Sequence, residues 1–207
     1  MQAINPDMMS ILNKRPLNRV ERRKLQTYHS LLQATAEILT ERGYHKFSIK
    51  AVTERADVGY GTFYTHFDNR DEAIWTVLLR QFGEQQKLIE AQVEALDSPQ
   101  RELKSWELFF TSIAQNIEGF NALFGENGSV ALRYQLENYT AEVYQRNIRD
   151  NNYQMPSAYE GLPIDYLAHF MAGAQLQLVR WWLASDMRYT ASDMAKMLYR
   201  TIYHESV

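Results

Sequence analysis

The 207-residue sequence contains no cysteine. That excludes a disulfide framework, a thiolate zinc site and a thiol nucleophile, and the chain needs no oxidising compartment. Glycine and proline are scarce, 9 and 5 residues, so turn chemistry is thin and a collagen-like or low-complexity chain is ruled out. No apolar run approaches the roughly 18 residues of a membrane span, and residues 1–10 lack an apolar core behind a basic flank, which predicts a cytoplasmic protein without membrane contact. No phosphate-cradling glycine loop and no nucleophile-elbow serine occurs. The five histidines (29, 45, 66, 169 and 204) are scattered. Asp165 and His169 share a helix face four apart, which reads as an acid favouring a helix N-terminus beside a polar neighbour rather than as a metal site. The expectation is a protein that is not an enzyme, with no catalytic residues, no cofactor and no metal.

What the chain does have is unevenly placed charge. Residues 1–71 hold 11 Lys/Arg against 8 Asp/Glu, net +3, whereas the remainder is net −6. The positive charge gathers in Lys14-Arg15, Arg19 and Arg22-Arg23-Lys24, ahead of the first periodic segment, where it can meet a polyanion such as nucleic acid or serve as a solvated helix start.

Hydrophobic periodicity predicts an all-α protein, with no alternating run long enough for a strand and no internal repeat. From Glu21, apolar positions at Tyr28, Leu31/Leu32, Ala36 and Leu39 recur at three and four, and Gly43 follows as a C-terminal cap. Ser48 is a good N-cap for a short second helix with Ile49, Val52 and Ala56 on one face. A third short helix after Gly59 directs Phe63 and Phe67 inward and leaves Tyr60, Gly61, Thr62, Tyr64 and His66 on its other sides. Asp68 is read as the cap of a long fourth helix through Ile74, Leu78, Phe82, Ile89, Val93 and Leu96. Ser98-Pro99 then opens a fifth helix in which Leu103, Trp106, Phe110, Ile113, Ile117 and Phe120 step regularly by three and four. After a turn at Gly125–Gly128, residues 129–150 read as a further helix, and 151–162 as a loop. Two more helices follow Pro163 and the Thr190/Asp193 capping box, carrying Leu167, Met171, Ala174, Leu178, Trp181/Trp182 and then Met194, Leu198 and Ile202.

Two short helices joined by a tight turn, the second presenting polar side chains, are the helix-turn-helix plan that lays its second helix in the major groove. Tyr60 sits in the first turn of that helix, where side chains reach base edges. Gly61 permits close approach, and Thr62 can donate to a phosphate or touch a thymine methyl. Tyr64 and His66 can donate to phosphates, as can Arg70 near the positive end of the fourth helix.

The string Phe47-Ser48-Ile49, then Ala56-Asp57-Val58-Gly59-Tyr60-Gly61-Thr62-Phe63-Tyr64-Thr65-His66-Phe67-Asp68-Asn69-Arg70, resembles the DNA-binding domain of the TetR/AcrR family of transcriptional regulators over Gln26 to Leu79. Asp57 stands where the family has a small glycine, Gly59 where it has a serine cap, Arg70 where lysine is commoner and Ala73 where leucine is expected. The resemblance implies that Ser48 or its neighbours, with Thr62, Tyr64, His66 and Arg70, position the DNA backbone. The segment from Phe170 to Leu183, followed by Thr190 to Met194, is similar to the C-terminal region of the DhaS-like subgroup. That likeness implies a homodimer whose last two helices form a four-helix bundle with a second chain, through Phe170, Ala174, Leu178, Trp181, Met194 and Leu198. Of the adjacent Trp181 and Trp182, about 100° apart on a helix, one is expected inward and one at the interface.

The charge placement predicts a flexible basic N-terminal extension (1–20), and the family plan implies a helix-turn-helix domain (21–68) and a helical ligand-binding and dimerisation domain (69–207). It further implies a repressor released from a palindromic double-stranded DNA operator by a small-molecule effector, for which Trp106, Phe110, Ile113, Ile117, Tyr139 and Gln175 are pocket candidates. The competing reading is a helical small-molecule-binding or adaptor protein with a vestigial DNA head.

Overall fold

The structure, a computed structural model, describes residues 18–97, 100–124, 128–150 and 155–203. The expected extension up to residue 17, the Ser98-Pro99 cap and most of the Gly125–Gly128 turn lie outside those residues. The described elements are helical: α1 (Arg19–Arg42), α2 (Ile49–Arg55), α3 (Tyr60–Phe63), α4 (Arg70–Val93), α5 (Gln100–Gln115), α6 (Ile117–Phe124), α7 (Val130–Arg149), a 3₁₀ turn (Ser157–Tyr159), α8 (Ile164–Ala184) and α9 (Ala191–Tyr203). Two compact units divide the chain. The first comprises the described residues up to Glu84 together with Glu118–Leu132, and the second comprises Gln85–Ile117 and those from Arg133 onward.

In the first unit α1 starts two residues before Glu21, because Asn18 forms a reciprocal capping box with that glutamate: Glu21 N donates to Asn18 Oδ1 and Asn18 N to Glu21 Oε2, both at 2.9 Å. Gly43 ends the helix at φ 67°, with its N–H donating to the Leu39 carbonyl. The N-cap of α2 is Ser48, whose Oγ accepts from Ala51 N at 3.2 Å. Asp57 in the following turn adopts φ 53°, a left-handed conformation that a short polar side chain tolerates. The α-helical part of α3 is a single turn ending at Phe63. Beyond it Thr65 Oγ1 donates to the Thr62 carbonyl at 2.7 Å, a local bond that competes with helix continuation. Phe63 and Phe67 point inward, with 0% and 2% exposure, and Tyr28, Leu31, Ile38, Phe47, Val52 and Ile74 are buried in the same unit. The cap of α4 is Asn69 rather than the expected Asp68. Asn69 Oδ1 accepts from Glu72 N at 3.0 Å, and the Glu72 carboxylate in turn accepts from Asp68 N.

In the second unit the regular stepping from Leu103 to Phe120 is interrupted. Asn116 Nδ2 donates to the Ser112 carbonyl at 2.9 Å and so satisfies a carbonyl left open where α5 stops. Phe120 therefore falls in α6 and lies 6.2 Å from the Phe82 ring, in the first unit. Trp106, Phe110 and Ile113 of α5 are buried in the second unit's core with Leu167, Met171, Leu176, Val179 and Trp182 of α8. α9 packs along α5. Met194 and Leu198, expected at a dimer interface, are 2% and 6% exposed in the single chain, so they belong to its own core. With Ala195, Tyr199 and Ile202 they form the stripe that α9 buries.

Candidate nucleic-acid interface

One turn of helix presents the candidate surface. Tyr60 and Tyr64, four residues apart, are 55% and 49% exposed, with rings edge-to-face at 5.6 Å and hydroxyls 3.2 Å apart. The hydrogen bond to Tyr60, and secondarily burial, raise the pKa of the Tyr64 hydroxyl. Gly61 is exposed between them, and a Cβ added there would meet nothing within 4 Å. The chain's own packing therefore does not require glycine at 61. Thr62 is half-buried, and Ser48 is exposed at the start of α2 with its hydroxyl committed to the cap.

His66 is a correction. It is 5% exposed and packs at 5.9 Å from the Tyr28 ring and 6.5 Å from the Phe67 ring, so it is a wedge beneath α3 rather than an outward phosphate donor. Its pKa is lowered, by burial first and by the Lys24 charge second. Its place three residues after Phe63 was the available signal, since i and i+3 share a face.

Arg70 is partly exposed and held in a network that the sequence did not reveal. Its Nη2 donates to Tyr44 Oη at 2.7 Å and its guanidinium lies 4.4 Å from the Tyr44 ring centre. Tyr44 donates to Asp71 Oδ1 at 2.9 Å, Ser129 Oγ donates to Asp71 Oδ2 at 2.7 Å, and Leu132 N donates to Ser129 Oγ at 3.2 Å. All these residues lie in the first unit. Only the proximity of Arg70 and Asp71 was readable in advance; Tyr44 and Ser129 stand 27 and 58 residues from Asp71.

The six pocket candidates separate. Trp106, Phe110, Ile113 and Gln175 are buried, whereas Ile117 and Tyr139 are half-buried. Tyr144, not among them, joins two of them: its hydroxyl donates to Gln175 Oε1 at 2.9 Å, and its ring lies 6.3 Å from that of Trp106. Phe110 instead meets Trp182 edge-on at 5.4 Å. The buried Trp106 Nε1 has no acceptor among the described residues. Burial is the main cause raising the Tyr139 pKa. An open hollow of about 480 Å³ lined by Gln92, Leu96, Gln100, Leu103, Lys104 and Glu107 includes none of the six.

On α8, Tyr166, Phe170 and Trp181 are 59%, 53% and 39% exposed, Ala174 is exposed and Leu178 half-buried. Trp182, beside Trp181, is 1% exposed and donates through Nε1 to the Tyr189 carbonyl at 2.9 Å. One tryptophan points in and its neighbour out, as the 100° step requires.

Two family models match this chain. One, described as "Bacterial regulatory proteins, tetR family", covers residues 31–72, and the other, "Transcriptional regulator C-terminal region", covers residues 103–204. The HTH-type transcriptional repressor DhaR of Mycobacterium sp. (strain GP1) is 31% identical over 103 residues, 49% of this chain and 50% of its own length. The chain thus spans about half of that relative. The fatty acid metabolism regulator protein of Bacillus subtilis (strain 168) is 21% identical over 81% of this chain and 89% of its own. Among solved structures, the fold is shared with Thermus thermophilus FadR, a repressor in complex with lauroyl-CoA: 11% identity, TM-score 0.63, 84% of this chain and 92% of that one. With the all-helical fold and the helix-turn-helix face described above, these matches show that the chain belongs to the TetR family of bacterial transcription regulators.

Proposed function

We propose that this chain is a homodimeric repressor that inserts α3 into the major groove of a palindromic operator and is released by a small molecule bound in the helices beyond residue 69. The observation that carries the reading is the two-sidedness of α3. Phe63 and the adjoining His66 and Phe67 are buried, while Tyr60, Gly61 and Tyr64 are exposed, with Thr62 between. A single turn needs that much anchoring if its outer face is to be read by a rigid ligand such as a duplex. Tyr60 is the base-contacting candidate, Thr62, Tyr64 and Arg70 contact phosphates, and Ser48 marks the start of the supporting helix. The basic residues of the first two turns of α1, Arg19, Arg22, Arg23 and Lys24, add to the sequence-independent attraction.

The outward stripe Phe170, Ala174, Leu178 and Trp181 is the proposed two-fold contact, which would set two copies of α3 about 34–36 Å apart, one DNA turn. For the effector, the polar spot formed by Gln175 and Tyr144, near a Trp106 Nε1 that has no acceptor among the described residues, offers directional contacts within an apolar interior. The likeness to a fatty acid metabolism regulator and to a repressor holding lauroyl-CoA supports a small-molecule effector.

Selection of bound duplexes from a randomised pool tests the reading. An enriched palindrome that disappears with Tyr60→Ala/Thr62→Ala protein is expected. Recovery of no enriched sequence from the unmodified protein at any salt concentration, with a stabilising response to small molecules intact, would favour the adaptor reading instead.

A further inference from the structure

The Asp71 carboxylate stands between two claimants. A bidentate arginine–carboxylate pair needs both oxygens of the acid. Here Oδ2 is taken by the Ser129 hydroxyl at 2.7 Å, and Oδ1 accepts from Tyr44 at 2.9 Å. Arg70, the neighbouring residue, is left with a single oblique approach, its Nε 3.5 Å from Oδ1, and otherwise rests on Tyr44 with its side chain 41% exposed. The guanidinium is thus beside an acid but not captured by it.

Building on the proposed DNA contact of Arg70, we propose that Ser129 is a positioning residue for DNA binding: by occupying Asp71 Oδ2 it keeps the carboxylate from closing on Arg70 and so leaves the guanidinium available to a phosphate. Ser129 is suited to the task by its own place. It is 7% exposed, and its oxygen also accepts from Leu132 N, so it is the N-terminal cap of α7. The hydroxyl's position is therefore fixed to the start of that helix. α7 runs on to Arg149 and carries Tyr139 and Tyr144, two residues of the proposed effector region. A shift of α7 that withdrew Ser129 would free Oδ2, let Asp71 form the two-point pair, and remove one phosphate donor per protomer. The change would be a competition between a carboxylate and a phosphate for one guanidinium, and would need no movement of α3.

The salt dependence of binding to a random-sequence 30-base-pair duplex isolates this effect, because its slope reports how many phosphates are neutralised whatever the sequence. Ser129→Ala is expected to bind more weakly and with a slope lower by about 0.9 per protomer, which is about a 3.5-fold smaller loss per protomer between 50 and 200 mM salt. Ser129→Thr, which keeps the hydroxyl, should retain the unmodified slope. Asp71→Asn added to Ser129→Ala should restore it, since a neutral amide cannot hold the guanidinium as an ion pair. A structural defect from the lost cap would not be reversed by that second substitution. An unchanged slope in folded Ser129→Ala, or a double variant no better than the single one, overturns the inference. If Ser129→Ala does not fold, Asp71→Asn alone must match or exceed the unmodified slope, and a lower slope overturns the inference. Absence of salt-dependent binding by the unmodified protein would overturn the DNA-binding reading and this inference with it, whereas normal binding with an insensitive Ser129→Ala slope overturns the inference only.

Discussion

The candidate DNA-facing turn in the first unit and the candidate effector residues in the second use their side chains in opposite ways. In the first, the candidate contact residues Tyr60 and Tyr64 are exposed, and a separate buried set of Tyr28, Phe63, His66 and Phe67 holds them up. In the second, three of the candidate effector residues, Trp106, Phe110 and Ile113, are themselves the packed core. A surface that reads a rigid external partner can be separated from its support, and substitutions there cost recognition before stability. Candidate residues that are themselves packed core have no such division, so a substitution there that probes binding also removes packing.

Breaking the second unit should give the largest effect. Phe110→Ala removes a fully buried ring that meets Trp182 edge-on, and a loss of about 3–5 kcal/mol is expected in urea or thermal denaturation. In the first unit Tyr60→Ala should change stability by less than about 0.5 kcal/mol, as a surface substitution does, while abolishing the enriched palindrome. Equal stability losses in the two variants would erase the contrast. The adjacent tryptophans sharpen it within one helix. Trp182→Ala should cost about 3–5 kcal/mol at every protein concentration. Trp181→Ala should leave the isolated chain nearly as stable but shift sedimentation toward the monomer.

A smaller effect concerns pH. The buried His66 has a folded-state pKa below its unfolded value, because burial and then Lys24 disfavour the imidazolium. The unfolded chain therefore binds more protons in the interval between the two values, and stability rises with pH through it. The His66 contribution is fully present above the unfolded pKa of about 6.5 and is lost as pH falls through the lowered folded value. Denaturation midpoints measured from pH 8 to pH 5 should fall less steeply for His66→Gln than for the unmodified chain; identical slopes would place the acid sensitivity elsewhere. The smallest change is expected at Asp57, where φ is 53°. Asp57→Gly should alter the melting free energy by no more than about 0.5 kcal/mol, because relief of the left-handed conformation and the added freedom of the unfolded chain oppose each other.

Much of the fold was legible because its signals are local. The spacing of Tyr28, Leu31 and Leu39, the cap at Ser48, the glycine at 43 and the Thr190/Asp193 box each act over a few residues, and each recurs in the structure. The Gly61-Thr62-Phe63-Tyr64 string placed the candidate face for the same reason. Two misread helix ends arose where local signals compete. Asn69 outbid Asp68 for the start of α4, and Asn116 ended α5 within an otherwise unbroken hydrophobic period.

Composition and periodicity thus determined an all-helical chain with a helix-turn-helix segment near its start, since helix-forming stripes, caps and turns are properties of neighbours in sequence. Tertiary structure alone decided which face of each stripe is spent inside the chain. Met194 and Leu198 went to the core beside α5 while Phe170 and Trp181 stayed outside. It also brought Tyr44, Arg70, Asp71 and Ser129 into one hydrogen-bonded network. Helical spacing specifies which residues share a face; what that face meets depends on residues tens of positions away, brought near only when the chain closes on itself.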